Sequence, residues 1–370
     1  MTKSTCILSP MSDKIHVLFV MEDLCFGGTQ RQMVELACRL DRTRFHVSML
    51  VLTGRTDLDA QVEQAGIRVE YLGRSRKVNP FFFALMPAAL KRLAPDVLVP
   101  CTALPNIWGR LWGRLLGIPI VGTVRGGGAP RRQHERFLWR LTDHMVCNSE
   151  ALADVLSGLG VPAARLTYVP NGVDTERFAP AQPAPSERPP LILCVARLAE
   201  DKDHLTLLKG FALLRERHPG VRLRLVGDGP REKELKAWVA EHLPDGGVEF
   251  CPGSPDVRAH YAAARIFALT SVREGQPNVI LEAMAAGLPV CATETGGIPR
   301  LVTRGENGLL SPVGDSAAFA DNCAALLADP AQGDRFGRAG RQRVERSFSF
   351  DAMVAAHEGI FMRLAARERA

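Results

Sequence analysis

The chain has 370 residues, enough for two domains of ordinary size rather than a single core. Hydrophobic residues make up 46% and charged residues 23%, a globular composition, and no apolar run approaches the roughly 18 residues of a bilayer-spanning helix, so helical membrane spans are excluded. The formal net charge of +6 falls wholly on residues 1–178, the rest being balanced, so an anionic substrate, anionic lipid or nucleic acid would meet the first half.

Residues 1–12 read as a loose tail in which Met11 is an alternative start. The apolar run 15–21 has no small-residue cleavage site behind it and reads as a buried strand, not as a secretory leader. Further strands are expected over 45–52, 67–72, 96–100, 119–123, 144–148 and 166–169. Helices are expected over 29–40, 80–93 and 149–159, the last opened by Ser149 and stopped by Gly160. Residues 180–190 hold five prolines in eleven positions, which suits neither a helix interior nor a central strand and marks a linker. Beyond it, strands over 191–196, 221–226, 248–250, 266–270 and 289–292 alternate with helices over 204–217, 231–242, 277–286, 316–328 and 330–346, and Asp329 caps the last of these. A final amphipathic helix spans 350–365. Such alternation predicts an α/β protein of two Rossmann-like, doubly wound domains, residues 1–179 and 191–347, with 348–370 crossing back to the first. Ligands are expected at the carboxyl ends of the strands, which would line an interdomain cleft. The nine cysteines stand singly, without metal-ligand spacing, which suits buried thiols in a reducing compartment and a cytoplasmic location.

Four short stretches bear chemistry. In the first, Glu274 lies in a loop after a strand and Glu282 about a turn and a half into a short helix between Pro277 and Gly287. The amino end of that helix, at Asn278 and Val279, offers backbone N–H groups and a dipole to a phosphate. Gln276 in the same loop is grouped with them as substrate-binding. Glu282 is placed to accept from ribose hydroxyls and Glu274 from those of a sugar; taken alone, either glutamate is more often a solvated surface residue. In the second, Arg197 closes a strand and Lys202 follows in a loop, two cations suited to a leaving diphosphate. Asp201-Lys-Asp203 has the spacing of an Asp-x-Asp metal motif, but the lysine between the carboxylates argues against that use. Asp57-Leu-Asp59 repeats the spacing and reads as a helix cap. In the third, Gly227 and Gly229 end a strand and let backbone approach a ligand. In the fourth, Gly27 and Gly28 follow the first strand and would bring N–H groups to a diphosphate. Neither a Gly-x-Gly-x-x-Gly fingerprint nor a P-loop is present.

Together these stretches resemble the retaining glycosyltransferase family 4, which has the GT-B fold. Its Glu-x7-Glu matches Glu274 and Glu282, and its phosphate-binding Arg and Lys match Arg197 and Lys202. Val169-Pro-Asn-Gly-Val-Asp174, Thr295-Gly-Gly-Ile298 and Glu306-Asn-Gly-Leu-Leu310 also read like the family. Two positions depart from it. Pro100-Cys-Thr102 stands where many members carry a donor-contacting histidine, leaving Thr102 or Asn106 to take over that contact, and Arg125 stands where others have histidine. The resemblance implies a nucleotide-diphosphate sugar donor, UDP favoured, bound by the second domain, and no metal or cofactor. It implies an acceptor on the first domain and transfer with retention, Arg197, Lys202 and the helix amino end stabilising the departing diphosphate. A nucleotide-sugar epimerase or phosphorylase on the same fold, or a non-catalytic nucleotide-sugar-binding protein, remain as alternatives.

On the acceptor side, Arg74, Arg76 and Lys77 precede the apolar run 80–86, and Arg131, Arg132, Arg136 and Arg140 form a second basic cluster. These suit a glycan or lipid-linked acceptor, and contact with an anionic membrane at its inner face stays open. The phenylalanines 81–83 are expected to pack in the core. No nucleic-acid module is recognisable.

Overall fold

Short runs of β-branched and other apolar residues form strands, and the amphipathic stretches between them form helices. The computed structural model describes residues 14–125 and 135–369; the tail 1–12, the glycines at 126–128, and Arg131 and Arg132 lie outside the described residues. The strands are β1 (Ile15–Met21), β2 (Phe45–Val51), β3 (Arg68–Tyr71), β4 (Val97–Pro100), β5 (Val121–Val124), β6 (His144–Cys147), β7 (Leu166–Tyr168), β8 (Leu191–Val195), β9 (Arg222–Val226), β10 (Val248–Cys251), β11 (Ile266–Leu269), β12 (Val290–Thr293) and β13 (Gly308–Ser311). They build sheets of order β3-β2-β1-β4, β5-β6-β7 and β10-β9-β8-β11-β12-β13. All neighbours in the first and third sheets run parallel. Parallel strands with helices on both faces are buried on both sides, so their sequences are nearly continuous in apolar residues, as Val17 to Met21 in β1 show. Counted from β8, the six-stranded sheet reads 3-2-1-4-5-6, the doubly wound order, and its direction of winding reverses between β8 and β11. The α/β fold expected from the alternation is the fold adopted.

The chain forms two compact units. The first holds residues 14–123, 135–146 and 356–369, the second 124–125 and 147–355. In the first, Phe361 of the last helix, Phe350–Arg369, packs edge-on against Phe19 and Phe45, and Glu358 accepts from the Asp41 N–H at 2.8 Å. In the second, the proline-rich segment 180–190 is held in place and is no free tether. The Arg188 side chain is buried and donates to the carbonyls of Pro183 (2.8 Å), Ala181 (2.6 Å) and Ala264 (2.8 Å), and Ser186 bonds twice to Asp334.

Several local expectations are corrected. The phenylalanines do not all pack inward. In the helix Phe82–Leu93, Phe82, Met86, Ala89 and Leu90 fill one face, while Phe81 and Phe83 are 67% and 43% exposed. At about 100° per residue, three consecutive side chains cannot share a face. Asp57 and Asp59 do not cap the helix Asp59–Gln64, whose N-cap is Leu58; Asp57 accepts instead from the Phe26 N–H, and Asp59 from the Tyr71 hydroxyl. The helix Ala103–Leu115 was hidden by Pro105, Gly109 and Gly113. Pro105 lies in its first turn, where the missing N–H costs nothing. A Cβ at Gly113 would fall 2.7 Å from Leu98 and 2.9 Å from Ile120, so glycine there sets how closely the helix approaches the sheet.

Candidate active site

The site grows from the two turns at the winding reversal. After β8 the chain passes Arg197 and makes a 3-10 turn, Glu200–Lys202. Asp203 follows at φ 45° and caps the helix His204–Arg217, its carboxylate accepting from the Thr206 N–H and hydroxyl. After β11, the Thr270 hydroxyl donates to the Asp203 carbonyl at 3.0 Å and the Val272 N–H to the Asp201 carbonyl at 3.0 Å. These bonds bring together groups far apart in the chain. Lys202 Nζ lies 2.6 Å from Glu274 Oε1, which also accepts from the Ser271 hydroxyl at 2.7 Å. Asp201 bridges the two cations, its carboxylate 3.4 Å from Lys202 and 3.6 Å from Arg197. Burial acts to raise the Asp201 pKa, but Lys202 and then Arg197 outweigh it and hold the carboxyl below its usual range. With Asp201 in ion pairs and Asp203 spent on a cap, the Asp-x-Asp spacing serves the fold. Glu274 Oε2 has no partner among the described residues, on a side chain that is 10% exposed, and the Arg197 side chain is 70% exposed, so an uncommitted acceptor oxygen and an accessible cation stand at this cluster.

The loop bearing Glu274 is held by the turn after β12. Thr293 and Thr295 donate to the carbonyls of Ser271 (2.6 Å) and Val272 (3.0 Å), and the Gly297 N–H reaches the Glu274 carbonyl at 3.3 Å. A Cβ at Gly296 would sit 1.8 Å from the Glu274 carbonyl oxygen, and one at Gly297 1.8 Å from that of Gly275. Gly227 and Gly229 are bare for a similar reason. Their Cβ positions lie 2.1 and 2.2 Å from the carbonyl oxygens of Ala196 and Leu198, so the backbone they admit is that of the neighbouring turn, where a ligand was expected.

A second cluster centres on Asn171, whose importance sequence reasoning missed; Pro-Asn-Gly read only as part of a familiar stretch. Its Oδ1 accepts from Arg125 (2.7 Å) and Asn148 (3.2 Å), its Nδ2 donates to Asn278 Oδ1 (2.7 Å), and its N–H donates to Gln276 Oε1 (2.5 Å). Arg125, Gln276 and the half-buried Asn278 thus belong to one network, centred on the buried Asn171, at the start of the helix Asn278–Ala285. Asn278 and Val279 open that helix, where N–H groups have no intrahelical acceptor. Glu282 is buried one turn later, and the Tyr261 hydroxyl, also not foreseen, lies 2.9 Å from its Oε2.

In the first unit, Gly27 caps the helix Gly28–Arg39, its carbonyl accepting from the Arg31 N–H at 2.9 Å. Thr102 Oγ1 accepts from the Glu22 N–H at 2.8 Å, bracing the end of β1. Asn106 is fully buried, and its Oδ1 accepts from Arg110, which is itself paired with Glu135 at 2.7 Å. Asn106 is therefore committed to a buried charge cluster, and of the two substitutes for the family's histidine only Thr102 stays accessible.

His204, beside Lys202, is 1% exposed, and neither ring nitrogen has a hydrogen-bond partner among the described residues. Burial, reinforced by Arg231, lowers its pKa to about 4. The neutral form is favoured in the fold, so between pH 6.5 and 4 the unfolded chain binds the extra proton and stability falls as pH falls. The expected loss is up to about 3 kcal/mol. Urea unfolding at pH 7 and pH 5 checks it: His204→Leu should shrink the difference between the two midpoints, and an unchanged difference would refute the assignment.

Two family models match consecutive stretches: "Glycosyltransferase Family 4" over residues 26–177 and "Glycosyl transferases group 1" over 175–343. The chain belongs to the glycosyltransferases of the family 4 type. This transferase is 28% identical over 348 residues to the lipopolysaccharide core biosynthesis glycosyltransferase LpsE of Rhizobium meliloti, a match covering 90% of this chain and 94% of that one. It is 34% identical over 215 residues to a GDP-mannose-dependent alpha-(1-6)-phosphatidylinositol monomannoside mannosyltransferase of Mycobacterium tuberculosis, covering 52% of this chain and 55% of the relative, so it matches about half of that protein's length. The solved structure of Anabaena HepE with UDP-glucose superposes with a TM-score of 0.83 at 20% identity, over 94% of the transferase and 100% of HepE, a likeness that shows the GT-B fold. Among the described residues, no helix of the transferase is long and apolar enough to cross a membrane.

Proposed function

We propose that this glycosyltransferase moves a sugar from a UDP-sugar to a glycan or lipid-linked acceptor in cell-surface polysaccharide or glycolipid assembly, with retention and without a metal ion, in the cytoplasm at the inner face of the membrane. The observation that carries the reading is the cluster of Lys202, Glu274, Asp201 and Arg197 at the winding reversal of a doubly wound sheet. An ammonium has three N–H donors, so Lys202 keeps its bond to Glu274 while others meet the diphosphate. Arg197 adds a second cation as negative charge develops on the leaving group, and the amino end of the helix at Asn278 and Val279 a third donor set. Glu274 Oε2 takes hydroxyls of the transferred sugar, and Glu282 those of the ribose. The acceptor hydroxyl attacks the face the diphosphate leaves, giving up its proton to a donor phosphate oxygen.

The choice of UDP draws support from HepE, solved with UDP and with UDP-glucose, and the polysaccharide setting from LpsE. The mannosyltransferase, named as GDP-mannose-dependent, is the reason to test both bases. A thermal-shift panel of nucleotide sugars, followed by transfer of label from the best binder in excess EDTA, provides the test. A UDP-sugar should stabilise by about 2.7 kcal/mol at a hundred times its Kd. Selective stabilisation by GDP-sugars would overturn the base. Interconversion of free donor without transfer would favour an epimerase, and activity lost in EDTA and restored by magnesium would overturn the metal-free step.

A further inference from the structure

The first unit exposes an apolar edge beside unpaired positive charge. Asn79 shapes the turn: its Nδ2 donates to the Leu72 carbonyl at 2.8 Å and its Oδ1 accepts from the Phe81 N–H at 3.0 Å, which sets Phe81 outward. Phe81, Phe83 and Leu85 are 67%, 43% and 41% exposed, and Phe83 rests against Trp108 with ring centroids 5.8 Å apart. Next to them opens a cavity of about 740 Å³, lined by Arg74, Ser75, Lys77, Asn79 and Leu85 among others. Glu70 at its wall is neutralised by Arg92, and Arg76 is paired with Asp57 at 2.9 Å. The side chains of Arg74 and Lys77 have no ion pair or hydrogen bond among the described residues, so the charge left over at the cavity is positive.

We propose that this surface docks the transferase on a bilayer containing anionic lipid. Arg74 and Lys77 hold phosphate-bearing headgroups in the cavity, and Phe81, Phe83 and Leu85 enter the boundary between headgroups and acyl chains. Aromatic tips flanked by cations are what such an interface selects. The three apolar side chains expose on the order of 300 Å², from the area a Phe carries, which is well short of the roughly 800 Å² per partner of a stable protein interface. The inference extends the lipid-linked-acceptor reading, yet its test does not depend on turnover.

The test is co-sedimentation of the full chain with vesicles of phosphatidylcholine alone and with about one third phosphatidylglycerol, an anionic fraction chosen to give the leaflet a negative surface potential. The wild type should bind the anionic vesicles and lose them at high salt. Arg74→Ser/Lys77→Ser should weaken that binding about thirtyfold, at roughly tenfold or less per cation. Phe81→Ser/Phe83→Ser/Leu85→Ser should weaken it at least about tenfold, with Phe81→Ser alone as the milder variant if the triple change impairs folding. Nucleotide-sugar binding should stay at the wild-type value in every variant, and the melting temperature in Arg74→Ser/Lys77→Ser and in Phe81→Ser, whereas the triple variant gives up the Phe83–Trp108 contact and should melt somewhat lower. Equal binding by wild type and variants, or no wild-type binding to anionic vesicles, overturns the proposal. So does a dimer in solution that the serine variants dissociate, which would make a second copy the occupant. Vesicle binding without nucleotide-sugar binding would leave this surface standing and defeat the donor assignment.

Discussion

Lys202→Ala should lower turnover at saturating donor by about 10²–10³, the effect of deleting one preorganised donor to a developing negative charge. The ammonium lies 2.6 Å from Glu274 and 3.4 Å from Asp201 on a side chain that is 20% exposed, so it is held in place and, in the proposed role, need not be reorganised during reaction. Donor KM should rise less than kcat falls, because in the proposed site Arg197 and the helix amino end would still engage the ground-state diphosphate. Some loss of stability is also expected, since Glu274 keeps only the Ser271 hydroxyl on Oε1. Lys202→Arg separates the two effects, restoring the charge and part of the rate. Steady-state kinetics with the donor that binds best are the measurement, and a kcat for Lys202→Ala within twofold of wild type would remove the residue from the chemistry.

Gly297→Ala should lower kcat/KM about a hundredfold without the substituted residue touching any ligand. Gly297 sits at φ −85°, so alanine costs no backbone strain. The obstacle is steric: its Cβ would lie 1.8 Å from the Gly275 carbonyl oxygen, a backbone atom that cannot swing aside. The loop must move by about 1 Å or more and carry Glu274 with it, and displacements of that size cost on the order of 10² in rate. Gly314→Ala is the control. At φ 77° it incurs about 1–2 kcal/mol of left-handed strain, but nothing lies within 4 Å of its Cβ. It should lower the melting temperature and leave kcat/KM alone. If both variants behave alike, the cradle has no role beyond stability.

These two predictions differ in how visible their residues are in the sequence. Arg197, Lys202 and Glu274 stand at the carboxyl ends of strands β8 and β11, which an alternating pattern locates to within a residue or two, and chemistry at such ends needs charged side chains. The glycine pair at 296 and 297 was visible as letters, but its partner, the loop of Glu274, was not. Asn171 was obscured in the same way. Its bond to Gln276 spans 105 residues, and nothing in the neighbourhood of Pro170-Asn-Gly172 announces a buried hub. Tyr261 beside Glu282, 21 residues away, is a further pairing that no periodicity encodes.

What the sequence determined by itself follows from local physics. The apolar runs Ile15–Met21, Val97–Pro100 and Ile266–Leu269 became strands, where parallel pairing under helices buries both faces. Ser149 and Asp329 started helices because their side-chain oxygens accept the N–H of Leu152 and Gln332, which a helix leaves unsatisfied. The doubly wound class followed from alternation alone. Only the tertiary structure decided which phenylalanines face water, how the proline-rich segment is held by Arg188 and Ser186, and that Asp201 lies between two cations. Those outcomes are set by contacts between residues distant in the chain, such as the 72-residue separation from Lys202 to Glu274, and the energy of such a contact depends on burial and geometry that local spacing does not specify.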